Sequence, residues 1–131
     1  MNKFIEKNMR SLFVLTIFTM PAFAADRSLL YGKWGTEAQC NGALITPQGT
    51  KRAAPFDIRP DWLKHGDVWC YLNWGTVAPT SGGGIFTVAQ AQCGEDAVRG
   101  YNIKFRLDES ELTLVWNLWI KNGPLMRCTE R

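Results

Sequence analysis

Histidine is nearly missing from this chain: His65 is the single one among 131 residues. A serine or cysteine nucleophile of the hydrolase kind needs a base beside it, and that base could only be this imidazole. His65 stands next to Gly66 and reads as a surface residue. No pair of cysteines has C-x-x-C spacing, so a zinc site is not indicated. Gly82-Gly83-Gly84 lacks the lysine and following helix that make a glycine loop cradle phosphate. The available carboxylates, Glu95, Asp96, Asp108, Glu109 and Glu111, lie in polar turns where solvation is the default role of an acid. The sequence therefore predicts no catalytic residue, no metal and no cofactor, and the chain reads as a non-enzyme.

A long apolar run is missing too. Residues 11–20 form an apolar stretch after a basic start at Lys3, Lys7 and Arg10, and are broken by Pro21 and followed by Ala22-Phe23-Ala24. Ten to fourteen residues are too few to cross a hydrocarbon core that needs about 20, whereas this pattern is that of a cleaved export signal. Residues 1–24 are expected to be the signal peptide and 25–131 a single domain, periplasmic or secreted. The first cysteine, Cys40, stands too far from the cleavage site for a lipid anchor. Three of the 15 basic and one of the 12 acidic residues leave with the signal. The remaining 12 and 11 give a formal charge of +1, so capture of nucleic acid or of an anionic membrane surface is not indicated.

All four cysteines, Cys40, Cys70, Cys93 and Cys128, belong to the mature part, and an even number in a small exported chain reads as two disulfides. Three connectivities are possible. If the last strand runs antiparallel to the first, its end lies near Leu30 rather than Cys40, which favours Cys40 with Cys70 and Cys93 with Cys128. Each bridge would close a loop of about 30 residues and contribute roughly 3 kcal/mol in the chain-entropy model.

The clearest pattern is the alternation at the C-terminal end. Tyr101, Ile103, Phe105 and Leu107 share one face, and Leu112, Leu114, Trp116, Leu118 and Ile120 share another. Such alternation marks half-buried antiparallel strands. Asn122-Gly123 offers a hairpin turn into a third strand, 124–128, completing a meander. Upstream, Leu29 to Gly35, Ala43 to Thr46, Pro55 to Ile58, Asp67 to Trp74 and Ile85 to Cys93 read as further strands. Residues 60–65 read as one short helical turn, with Pro60 at its start and Gly66 as the stop. The predicted fold is all-β: a small antiparallel β-barrel or strongly curved meander of six to eight strands, stapled by two disulfides.

Gly32-Lys33-Trp34 on the first strand and Arg127 on the last resemble the signature of the lipocalin-like, or calycin, group of antiparallel barrels. The resemblance implies that Trp34 closes one barrel end and that Arg127 packs across it. It also implies, as one function, a carrier of a small apolar ligand. The layout is similar to that of small exported four-cysteine proteins of Gram-negative bacteria, with spaced cysteines and an ending like Leu125-Met126-Arg127-Cys128. A turn at Asn122-Gly123 would set Arg127 opposite Leu118 on the inward face, where an aromatic or polar group must receive it. A one-residue bulge would instead turn Arg127 outward.

Six tryptophans are many for so small a domain. Trp34, Trp74 and Trp116 lie on the faces read as inward. Trp62, Trp69, Tyr71 and Trp119 are then the candidates for a binding surface, since rigid aromatics give contact area at little entropic cost. The alternative is that they cover the outside of the sheet beneath the segment 47–66. The expectation is an exported binding module that holds a protein, glycan or envelope component. The other readings are a carrier of a small apolar ligand and an inhibitor of a cell-wall hydrolase. An inhibitor of a strongly basic enzyme should be acidic, which this chain is not.

Overall fold

The computed structural model describes residues 26–94 and 98–129; the expected signal peptide and the acidic pair at 95–96 lie outside the described residues. A 3₁₀ turn at Arg27–Leu30 leads into strand β1 (Gly32–Gly35) and helix α1 (Glu37–Asn41). Strands β2 (Ala43–Thr46), β3 (Gly49–Arg52), β4 (Phe56–Ile58), β5 (Trp62–His65) and β6 (Val68–Trp74) follow. The rest of the chain forms β7 (Ala78–Pro79), β8 (Ile85–Cys93), β9 (Arg99–Asp108), β10 (Glu111–Trp116) and β11 (Ile120–Arg127). Eight strands, in the order β6-β5-β4-β1-β11-β10-β9-β8, are antiparallel throughout, and pairing of β6 with β8 closes them into a barrel. The hairpin β2–β3 stands apart from that sheet, and all four residues of β3 are exposed.

Alternation decides which side chains fill the interior. Strand β8 turns Ile85, Thr87, Ala89, Ala91 and Cys93 inward; β9 adds Ile103, Phe105 and Leu107, and β10 adds Leu112 and Leu114. Burying each of the larger apolar chains is worth about 1.5–3 kcal/mol. Small residues of β8 face large ones of β6 across the seam, Ala91 opposite Leu72 and Ala89 opposite Trp74, whose ring lies 4.8 Å from that of Phe105. Thr87 is the one fully buried polar side chain among the described residues, and its hydroxyl donates to the Thr76 carbonyl oxygen at 3.1 Å. The segment that accepts this bond is the kink after β6. Gly75 sits there so close to β8 that a Cβ would lie 2.9 Å from the Val88 oxygen.

Three expectations are corrected. Residues 60–65 are not a helical turn. Pro60 and Asp61 make the tight β4–β5 turn, closed by the Arg59 amide donating to the Trp62 oxygen at 2.8 Å, and Leu63 points into the core between outward Trp62 and Lys64. Gly66, at φ +61°, serves the next hairpin turn rather than stopping a helix. The helix lies earlier, at α1, where Thr36 and Gln39 form a reciprocal capping box and Gly42 ends it in the left-handed conformation.

The second correction concerns the last hairpin. Its turn falls at 117–119, with Asn117 at φ +54°, and not at Asn122-Gly123. Gly123 and Pro124 form instead a bulge opposite Thr113, between the pairs Leu114–Asn122 and Leu112–Leu125. Leu118 and Ile120 are accordingly exposed rather than inward.

The disulfides are the third. Cys40 pairs with Cys128 and Cys70 with Cys93; the expected pairs Cys40–Cys70 and Cys93–Cys128 do not form. Strands β1 and β11 are antiparallel neighbours as assumed, but Trp34 is the partner of Arg127, which sets Cys128 beside Lys33. Helix α1 then folds the chain back and returns Cys40 to that point, with the two Cα atoms 5.3 Å apart. Cys70 and Cys93 are direct cross-strand partners on β6 and β8, so their bond lies on the seam that closes the barrel. In the chain-entropy model the separations of 88 and 23 residues correspond to about 4.6 and about 3.4 kcal/mol.

Candidate functional site

The outer face of β5, β6, β8 and β9 carries a grouping of exposed aromatic and amide side chains. Cross-strand registration puts Trp62 opposite Tyr71 and Lys64 opposite Trp69. Because these residues alternate with inward Leu63 and Cys70, they share the solvent side. The Trp62 and Trp69 rings are 4.7 Å apart and tilted by 53°. Cations flank the pair: the Lys64 ammonium lies 4.8 Å from the Trp69 ring and the Arg59 guanidinium 5.9 Å from that of Trp62. Arg59 is itself held by Asp57 at 2.8 Å.

Beyond Tyr71 the face becomes polar. Asn73 of β6 is directly opposite Gln90 of β8, and Gln90 directly opposite Asn102 of β9, so three amides stand in one row across three strands. This row floors a groove of about 630 Å³, and the β10–β11 turn overhangs it with Leu118 and Trp119. The turn is fastened to the floor: the Asn117 amide donates to the Asn102 oxygen at 2.6 Å, and the Asn117 side-chain oxygen accepts from the Asn102 amide at 2.9 Å. A left-handed asparagine thus ends the ladder by substituting its own side chain for the next backbone carbonyl.

Of the residues expected to bind, the structure brings Trp62, Trp69 and Tyr71 together and sets Trp119 across the amide row from them. Trp119 is 86% exposed, Tyr71 73% and Trp69 41%, while Trp62 is half-buried by its neighbour. The segment 47–66 is itself built into strands β3, β4 and β5 and leaves Trp69 and Tyr71 open. Sequence reasoning missed Asn73, Gln90 and Asn102. The signal was there, because Gln90 and Gln92 alternate with small inward residues on β8, but only cross-strand register shows that amides from three strands align.

At one end of the barrel Trp34 is buried, and its indole N–H donates to the Leu30 oxygen at 2.9 Å. The Arg127 guanidinium lies 4.3 Å from the Trp34 ring and donates to the Tyr31 and Leu29 oxygens, both at 2.8 Å. Gly32 makes room for it: at φ +123° a Cβ there would stand 2.7 Å from an Arg127 nitrogen. Arg127 is therefore neither opposite Leu118 nor free in solvent. The bulge shifts its register, and ring and carbonyls receive its charge. Leu30 plugs the same end, fully buried.

Among the described residues, the carboxylates and the histidine do not line the amide groove. His65 is half-buried and stacked on Phe56 at 4.1 Å, and burial holds its pKa below the ordinary 6.5 against the opposing hydrogen bond to Ala54. The Asp108 carboxyl is held below its ordinary 3.8, first by the Arg106 hydrogen bond and then by Thr80. Three hollows among the described residues open on the outer surface: the amide groove, one beside the Cys40–Cys128 bridge and one below the β2–β3 hairpin. Comparison of the chain with protein-family models, with curated proteins and with solved structures finds no match to any of them.

Proposed function

We propose that this protein is an exported, non-enzymatic binding module that uses the outer aromatic surface of its barrel to hold a protein, glycan or envelope component. The observation that carries the reading is the exposure of Trp69, Tyr71 and Trp119 on a cross-linked scaffold. Large rings left in water are costly for a domain that has other rings to bury, and β6 holds Trp69 and Tyr71 at fixed spacing. Two disulfides fit an oxidising compartment, and the basic, apolar, A-x-A pattern of residues 1–24 fits export to the periplasm or beyond. The carrier reading has less support, because Trp34, Phe56, Phe105, Leu112 and Leu114 occupy the interior. The Gly32, Trp34 and Arg127 arrangement accords with a calycin-type ancestry, which we propose on those residues alone.

The test is binding of the purified, oxidised protein to three classes of envelope material, namely polysaccharide, phospholipid vesicles and protein extract. Tryptophan fluorescence and co-sedimentation are the readouts. The reading expects one class to bind, and to lose most of that binding in Trp69→Ala/Tyr71→Ala/Trp119→Ala. Binding that persists in the triple variant, or quenching only by a lipid that becomes enclosed within the barrel, overturns it.

A further inference from the structure

We propose that the groove floored by Asn73, Gln90 and Asn102 is a subsite for an uncharged glycan, with Trp119, which lines it, as a stacking platform and Tyr71, two residues before Asn73 on the same face of β6, as a second ring beside it. This rests on the binding-module reading and names its ligand class. A pyranose ring has a C–H face that is apolar and faintly positive, complementary to the negative π-face of an exposed indole or phenol. Its edge carries hydroxyls that both donate and accept, and a side-chain amide offers both functions at one site. The three amides are solvent-exposed, and no other side chain among the described residues holds them by hydrogen bonds. Their row follows adjacent strands about 4.8 Å apart, so a ligand lying across β6, β8 and β9 meets an amide at each step.

The distribution of polarity separates this ligand from the others. A protein interface has an apolar centre and a polar rim, whereas this groove sets Asn73, Gln90 and Asn102 side by side among Trp74, Val88 and Trp119, a mixture of amides and apolar faces suited to a sugar. Nucleic acid or an acidic polysaccharide would need several cations along its path, and Lys104 is the one charged side chain among the described residues that lines the groove. A lipid surface would suit the exposed tip Leu118-Trp119-Ile120 but would bury the amide floor without partners. Fastening of the turn to Asn102 fixes the backbone that carries Trp119 beside the groove before any ligand arrives, so the ring's own rotation is what binding must order.

The experiment titrates the disulfide-bonded protein with cellohexaose, chitohexaose and mannohexaose. Heparin and alginate fragments and zwitterionic vesicles serve as comparators, and tryptophan fluorescence and calorimetry as readouts. At least one neutral hexaose should bind, with affinity changing less than about twofold between about 0.05 and about 0.5 M salt. Trp119→Ala and Gln90→Ala should each weaken it about tenfold or more at unchanged melting temperature, and Trp119→Phe should retain part of it. Salt-sensitive binding to the acidic fragments alone, or neutral binding indifferent to both alanine variants, overturns the glycan assignment. If the vesicles, or a protein in the envelope extract used for the binding-module test, bind instead, and do so through Trp69, Tyr71 and Trp119, the glycan assignment fails while the binding-module reading stands. If no class responds to those three residues, both fail.

Discussion

Trp34 and Trp119 are the same side chain put to opposite uses. Trp34 is sealed at the barrel end, its N–H bonded to Leu30 and its face covered by Arg127. Trp119 stands on the last turn almost wholly in water. The difference arises from backbone placement rather than residue type. Trp34 occupies a strand position whose neighbours on β4 and β11 close over it, while Trp119 sits where the ladder has ended at Asn117. Apolar chemistry holds the fold together at the first position and is left available for contact at the second.

The sharpest way to break this contrast is to truncate both rings. Trp34→Ala should destabilise by about 3–5 kcal/mol, the range for a buried tryptophan, and shift the urea midpoint at constant slope. Trp119→Ala should stay within about 0.5 kcal/mol of the parent in the same titration, as exposed positions do. Equal losses at the two sites would abolish the distinction.

A smaller effect is expected at Gly32. Its alanine variant meets the Arg127 guanidinium and must hold φ near +123°, so the end seal should loosen at a cost of about 1–3 kcal/mol. If Arg127→Ala is already present, the added cost of Gly32→Ala should shrink to the backbone part alone. A double-mutant cycle by thermal melting reads that coupling.

The least effect concerns the exposed rim. Asp108 has a folded-state pKa below its ordinary 3.8 because Arg106 and Thr80 bind the carboxylate. A depressed acid stabilises the fold at pH values above its unfolded pKa, and that contribution fades as pH falls through the folded value. A carboxyl-detected titration should therefore place Asp108 below the free carboxylates of the chain. Arg106→Gln should move it upward, with little change in stability at neutral pH.

Strands β9 and β10 were legible because inward Ile103, Phe105, Leu112 and Leu114 alternate without interruption, and period two has no competing reading over six to ten residues. Over 60–65 the same rule failed, since a four-residue strand offers only two inward positions and Pro60, Asp61 and Gly66 serve turns as well as helix ends. Asn122-Gly123 misled for a related reason, because the backbone freedom that makes a hairpin turn also makes a bulge. The choice between them depends on Thr113 across the ladder, 10 residues away in sequence, which local pattern cannot see. The disulfides were missed because Cys128 ends beside Lys33 rather than near Leu30, and because the Thr36–Gln39 capping signal for a helix that folds Cys40 back was overlooked. The aromatic half of the candidate site was legible in Trp69, Tyr71 and Trp119; the amide half depended on alignment of three strands.

The earliest barrel strand and the final one are neighbours, with Trp34 beside Arg127 and a sulfur bond clamping the join. A ribosome delivers them at opposite ends of its work. Until the last strand has emerged, β1 has only one of its two partners, and the apolar lining behind it faces solvent or a chaperone. The barrel is therefore an all-or-nothing closure with its decisive zipper at the tail, and a stalled or shortened chain would expose its lining instead of folding in part.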